Sequence, residues 1–125
     1  MTEFVAGNVY IRTNGNLQGV DPGAVIPGHR HNFDHVAIFF NGRWRMKRWH
    51  AGDAISQKPA LDITREAPLF LLIDKDCFHE FEYLALNKEK GVSWCVFAHR
   101  NPQGEVIEEY DGWRDAHELR ERADA

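Results

Sequence analysis

The sequence predicts an all-β fold, a sandwich or barrel of short strands, with a short helix at its C-terminal end. Three observations carry that expectation. Apolar residues recur mostly at every second position, in short runs rather than along a helical stripe. Gly, Pro, Asn and Asp break these runs at intervals of roughly 8 to 12 residues, the spacing of sandwich and barrel strands. Only the tail, from about Gly112 to Ala125, is rich in helix formers, with Trp113, Ala116, His117 and Arg120 on one side.

Taken in order, Phe4-Val5 and Val9-Tyr10-Ile11 predict the opening strands, and Asn14-Gly15 supplies a turn. Asp21-Pro22-Gly23 turns the chain again before Ala24-Val25-Ile26. His35 to Phe40 is a compact strand. Asn41-Gly42 is a two-residue hairpin signal because both residues tolerate positive φ, and Arg43 to Trp49 is the return strand. Gly52-Asp53 turns the chain, and residues 54 to 68, with Pro59 and Pro68, predict an irregular connection. Leu69 to Ile73 is expected to be a buried strand, and His79 opens or precedes a strand from Phe81 to Leu86. Asn87 to Gly91 is a charged loop, Val92 to Ala98 the last strand, and Asn101-Pro102-Gln103-Gly104 a turn. No internal repeat or low-complexity linker interrupts the chain.

With 125 residues, 43% of them hydrophobic, the chain is the size of one domain with a real core, so residues 1–125 are expected to form a single domain. A net charge of -4 supplies no basic field for nucleic acid or an anionic membrane, which leaves a small molecule as the expected partner. No run approaches the roughly 20 apolar residues of a membrane span, and no basic n-region precedes an apolar stretch at the start. A soluble, cytoplasmic protein is expected. Cys77 and Cys95 fit no CxxC pattern and are expected to be reduced thiols.

The histidines are the most informative feature. His29, His31 and His35 fall within Pro27-Gly28-His29-Arg30-His31-Asn32-Phe33-Asp34-His35, and His79 follows a later apolar run. Even steps place His29 and His31 on one face of an extended strand, and His35 returns to that face if the strand resumes in register. Convergent imidazoles suit Zn, Cu, Fe and Ni, whereas Ca and Mg prefer oxygen donors. Several buried neutral imidazoles without partners would each cost on the order of 1 to 3 kcal/mol, and one metal satisfies them together. The alternative is that His29 and His31 lie on an exposed loop and His79 is a hydrogen-bonded core residue.

The spacing resembles the cupin superfamily, whose first motif is G-x5-H-x-H-x(3,4)-E-x6-G. Gly23, His29, His31, His35 and Gly42 match every interval, with His35 where the family usually has Glu. The second motif, G-x5-P-x-G-x2-H-x3-N, aligns through His79 alone, since Pro68, Asp74, Asp76 and Tyr83 stand at its other positions. The motif-bearing core covers about residues 23–86. The resemblance implies a jelly-roll barrel, the double-stranded β-helix, holding a metal on His29, His31, His35 and His79. Many cupins pair through their outer sheet, so a homodimer is implied, with Phe4-Val5 and the Trp113 helix as docking elements.

Four neutral imidazoles would leave a divalent ion its full charge, and in a low-dielectric barrel that charge attracts an anion. Among cupins this ligand set resembles the histidine-only non-haem iron dioxygenases, in which an anionic substrate chelates the metal. Fe(II) is therefore the first expectation, with Ni, Zn, Mn or Cu as alternatives. Around the site, Phe33, Phe39 and Phe81 are expected to line an apolar pocket. Tyr83 shares a strand face with His79 and could donate to a ligand, or serve as barrel core with its hydroxyl satisfied. Cys77, two residues before His79, is a thiolate ligand, a redox-sensitive neighbour or a small buried hydrophobe. In Arg43 to Trp49, Arg43, Arg45 and Lys47 alternate with Trp44 and Met46; this is a half-buried strand with a charged face, or a single-stranded nucleic-acid platform. His50, His99 and His117 receive no role. Three functions remain open: a metal-dependent oxygenase, a binding or sensing cupin without turnover, and a closed tetrahedral structural Zn site.

Overall fold

The computed structural model describes residues 2–49, 61–98 and 100–107. Nine strands follow one another: β1 (Glu3–Ala6), β2 (Val9–Thr13), β3 (Val25–His29), β4 (His35–Phe39), β5 (Arg43–Trp49), β6 (Leu61–Glu66), β7 (Leu69–Ile73), β8 (Phe78–Tyr83) and β9 (Ser93–Ala98). They form a five-stranded sheet, β1-β2-β9-β4-β7, and a four-stranded sheet, β3-β8-β5-β6, with antiparallel pairing throughout.

Alternation decides which side chains meet between the sheets. His35, Ala37 and Phe39 point inward from β4, Trp44 and Met46 from β5, and Phe81 and Tyr83 from β8, all buried. Phe39 bridges the layers, its ring 5.0 Å from both Trp44 and Phe81. Each such fully buried side chain is worth about 1.5–3 kcal/mol of transfer free energy. The histidine cluster sits on this floor at one end of the sandwich.

The Asn41-Gly42 hairpin forms between β4 and β5 as its sequence requires, with Gly42 at φ +79°. Asn41 ties the turn to its surroundings: its carbonyl accepts the Trp44 indole N–H at 2.8 Å, Oδ1 accepts from Val92 N at 2.8 Å, and Nδ2 donates to Lys90 O at 2.8 Å.

Two expectations need correction. Part of the irregular connection, Leu61–Glu66, is strand β6. Its charged sequence hides a two-residue period in which Leu61 and Ile63 face in, and pairing with β5 supplies what propensity does not. Strand β7 is not buried on both faces, because Phe70 and Leu72 are 67% and 59% exposed on the outside of the sheet. The pairing of β6 also accounts for the basic strand. Arg45 makes a two-pronged contact with Asp62 (2.9 and 2.8 Å), Arg43 reaches Glu66 at 3.2 Å and Lys47 reaches Glu80 at 3.5 Å, so these cations face carboxylates as a solvated strand face does. The Gly52-Asp53 turn, His50, His99 and the C-terminal helix with His117 lie outside the described residues. Cys77 and Cys95 are buried and not bridged to each other. Among the described residues no helix is long and apolar enough to cross a membrane.

Candidate metal centre

The end of β3 is shaped by Pro27 and Gly28. Proline has no N–H to give the ladder, and the register with β8 shifts between Ile26 and His29. Past the shift His29 lies opposite His79, and the two rings come within 4.2 Å. His29 Nδ1 donates to the Pro27 carbonyl at 2.7 Å, and His79 Nδ1 donates to the Cys77 carbonyl at 3.1 Å. A carbonyl only accepts, so each Nδ1 carries the proton and each Nε2 presents a lone pair. This is the tautomer control that metal-binding histidines use.

His31 follows the strand in the segment leading to β4. Two hydrogen bonds fasten this segment to the turn before β8: Asp76 N donates to His31 O at 2.8 Å, and Lys75 N donates to Asp34 Oδ1 at 2.7 Å. Asp76 adopts φ +63°, a left-handed conformation that Asp tolerates better than most residues. The His31 ring consequently stands 4.7 Å from His29, 5.3 Å from His79 and 5.1 Å from His35. His35 opens β4 from the opposite sheet, its ring 4.8 Å from His79.

All four rings therefore converge. The donor atoms of His29, His31 and His79 lie within 4.8 Å of one another and could hold one ion; His35 packs against them without joining that group. His79 Nε2 and both ring nitrogens of His35 are buried without a hydrogen-bond partner among the described residues. Orphaned buried imidazole nitrogens are costly, and their collection around one point fits a metal better than it fits a packed core.

Burial keeps the two deepest histidines neutral. Burial, with the neighbouring His31 and His29, lowers the His35 pKa to about 3, although the Phe33 backbone nearby slightly favours the charged form. Burial likewise pushes His79 well below its ordinary value, reinforced by His29, His35 and His31. Both remain unprotonated at neutral pH with lone pairs available. His29 and His31 are only half-buried, so one side of the cluster faces solvent.

The other expected site residues divide by depth. Phe33 stacks on His31 at 4.9 Å and borders the cluster. Phe81 lies 5.5 Å from His79 and forms its floor, while Phe39 belongs to the core beneath. Tyr83 does not reach the cluster: it lies four residues beyond His79 on β8, roughly 13 Å at the rise of a strand. Its hydroxyl donates to Glu89 O at 3.0 Å and its ring packs on Trp44 at 4.8 Å, the alternative of a satisfied core tyrosine. The Cys77 thiol donates to Trp49 O at 3.0 Å and lies outside the group of donors that could share an ion.

Arg48 escaped the sequence reading. It lies directly opposite His79, and the alternation that buries Trp44 and Met46 places it on the same inner face; its Nη1 donates to Leu72 O at 2.8 Å and crosses to the facing sheet. Counting parity two residues further would have found it. Arg12 and Tyr10 on β2 were also missed, because an opening strand next to no motif gives no chemical signal.

No protein-family profile and no curated protein sequence matches the chain. Solved structures do. It is similar to the Escherichia coli ribosomal oxygenase YcfD in complex with cobalt and 2-oxoglutarate, with TM-score 0.53 and 20% identity over 76% of this chain and 24% of that one. It is similar to a cupin superfamily protein of Desulfitobacterium hafniense DCB-2, with TM-score 0.51 and 8% identity over 84% of this chain and 72% of that one. It is also similar to the hydroquinone 1,2-dioxygenase PnpCD in complex with Cd2+ and 4-hydroxybenzonitrile, with TM-score 0.52 and 10% identity over 84% of this chain and 69% of that one. The chain spans about a quarter of the length of the ribosomal oxygenase, 24%. At these identities the likeness establishes the fold, and the chain has the cupin fold.

Proposed function

We propose that this cupin-fold chain is a metal-dependent enzyme of the dioxygenase type. In this reading His29, His31, His35 and His79 hold a divalent transition metal, Fe(II) first, and a small anionic molecule chelates it. The observation that carries the reading is the histidine cluster itself: the donors of His29, His31 and His79 lie within 4.8 Å of one another, and His79 Nε2 and both His35 nitrogens are buried with no hydrogen-bond partner among the described residues. When bound, the metal would supply Lewis-acid and redox chemistry to a coordinated ligand.

The chain's own residues set the conditions for that chemistry. The Pro27 and Cys77 carbonyls orient two imidazoles, and the ties from Asp34 and Asp76 hold His31 in place. Phe33 and Phe81 keep water from two sides of the cluster. An all-imidazole set adds no negative charge, which favours an anionic ligand. The half-buried state of His29 and His31 leaves the cluster approachable and supports an open site over a closed structural Zn.

Two further proposals complete the reading. The outer face of the five-stranded sheet presents Phe4, Val9, Phe40, Phe70 and Leu72, all more than 40% exposed, and this apolar surface supports pairing of two copies. Two buried cysteines not bridged to each other are in keeping with a cytoplasmic setting.

The test is anaerobic reconstitution with Fe(II) followed by nitric oxide, a probe of open iron positions. The reading expects about one iron per chain and an EPR-active iron–nitrosyl signal. Stoichiometric iron with no such signal would contradict it.

A further inference from the structure

Beside the histidine cluster, on the inner face of the five-stranded sheet, lies a second polar group. Arg12 and Tyr10 alternate inward on β2, and both hold one carboxylate, that of Glu3 on β1. Tyr10 Oη donates to Glu3 Oε2 at 2.7 Å, and Arg12 Nε lies 3.2 Å from Glu3 Oε1. The phenol supplies a directional hydrogen bond and the guanidinium an ion pair to the two oxygens of one carboxylate, a pairing suited to recognising that group. The guanidinium also lies over aromatic rings, 5.0 Å from Phe97 and 5.4 Å from Tyr10, with the Arg12 side chain only 18% exposed. Partial desolvation of this kind strengthens its pull on an anion.

The carboxylate that fills this fork is the least anchored of the three groups. All four residues of β1 are exposed, β1 pairs with β2 alone among the described strands, and the Glu3 side chain is 37% exposed. A side-chain rotation would exchange it for another carboxylate without disturbing the sheet.

Strand register sets the distance to the histidines. Tyr10 pairs with Phe97, and the Val36–Val96 pairing carried one residue further sets Phe97 beside His35. Two strand spacings are roughly 10 Å. Between the two sites Phe97 stacks on Phe33 at 4.0 Å and Phe33 on His31 at 4.9 Å, an apolar wall leading from one to the other.

We propose that Arg12 and Tyr10 form a carboxylate-binding subsite for the ligand of the histidine cluster, and that Glu3 occupies it until a ligand carboxylate takes its place. The ligand class is then a small molecule with a metal-binding head, a short apolar middle passing Phe33 and Phe97, and a terminal carboxylate. The head rests on the metal reading above; the carboxylate end does not.

The experiment titrates Zn(II)-loaded protein, diamagnetic and redox-inert, with succinate, glutarate, adipate and the single-ended probe propionate, followed by NMR. Zn content is measured on every sample. One dicarboxylate should bind at least tenfold more tightly than propionate, because two anchored ends raise effective concentration. Arg12→Met should abolish that advantage with Zn retained, and Glu3→Ala should enhance it severalfold. Unchanged dicarboxylate affinity in Arg12→Met, or no gain in Glu3→Ala, would overturn the subsite. If the wild type takes up no Zn, the metal reading alone fails. The subsite then stands if Glu3→Ala binds propionate at least tenfold more tightly than the Glu3→Ala/Arg12→Met double variant, and falls if the two are equal.

Discussion

Each histidine of the cluster carries a different part of the account. His79 is fully buried, its Nε2 without a hydrogen-bond partner among the described residues, so removing its ring deletes a donor and leaves a cavity, whereas His29 and His31 are half-buried and act mainly as donors. His79→Ala should therefore lower the melting temperature even without metal, and should abolish the rise on adding Zn(II) or Fe(II) that the wild type shows. His31→Ala should abolish that rise with a much smaller effect on the metal-free protein; an undiminished rise in either variant would remove that residue from the ligand set. The pH dependence has a definite sign. His35 and His79 are held below their unfolded value near 6.5, His35 at about 3, so the unfolded chain binds more protons throughout that interval. Stability is then full above about pH 6.5 and is lost as pH falls toward 3. Thermal melts of metal-free protein from pH 7.5 to 5 should show this loss, and His35→Asn should flatten it. The closeness of His29, His31 and His35 was legible in the sequence from their spacing, but strand parity was not what places them: β3 ends at His29, His31 is set by the ties of its segment to Lys75 and Asp76, and His35 opens a strand of the other sheet. The depth of Tyr83 was not legible, since parity gives the face of a strand and says nothing about distance along it.

At the level of elements, turns were read more securely than the strands they join. Asn41-Gly42 announces a hairpin because only a residue without Cβ fits its second position easily, and here the space beside Gly42 is filled by the Tyr83 ring. Gly42→Ala should cost roughly 2 to 4 kcal/mol, combining left-handed strain with overpacking, and denaturant unfolding would measure it. A loss below about 1 kcal/mol would show that the hairpin adapts. Strand β6 was illegible because Asp62, Thr64, Arg65 and Glu66 carry loop-like polarity; its pairing is fixed by Arg43 and Arg45 on a neighbour distant in sequence. The shift at Pro27-Gly28 shows the reverse case. The proline was visible, but its consequence for the aim of His29 depends on β8, which the local sequence does not contain.

For the whole molecule, two packed antiparallel sheets follow from periodicity and turn spacing, and the cupin fold, implied by the motif resemblance between Gly23 and Gly42, is shown by the likeness to solved structures. One sheet remains apolar on its outside, with Phe70 67% exposed. Pairing of two copies through this face predicts a dimer by light scattering at micromolar concentration, and Phe70→Glu should give a folded monomer. A monomeric wild type would leave the face to another partner. The central claim concerns the other end of the sandwich, where four histidines from both sheets meet. Its most direct measurement is the metal content of tag-free protein, purified without added metal and again after reconstitution, with X-ray absorption of the bound ion. The account predicts about one transition metal per chain in an imidazole-rich shell that also holds exchangeable oxygen ligands, and loss of that metal in His29→Ala/His31→Ala. No bound metal after reconstitution, or a closed tetrahedral Zn without an exchangeable position, would contradict it.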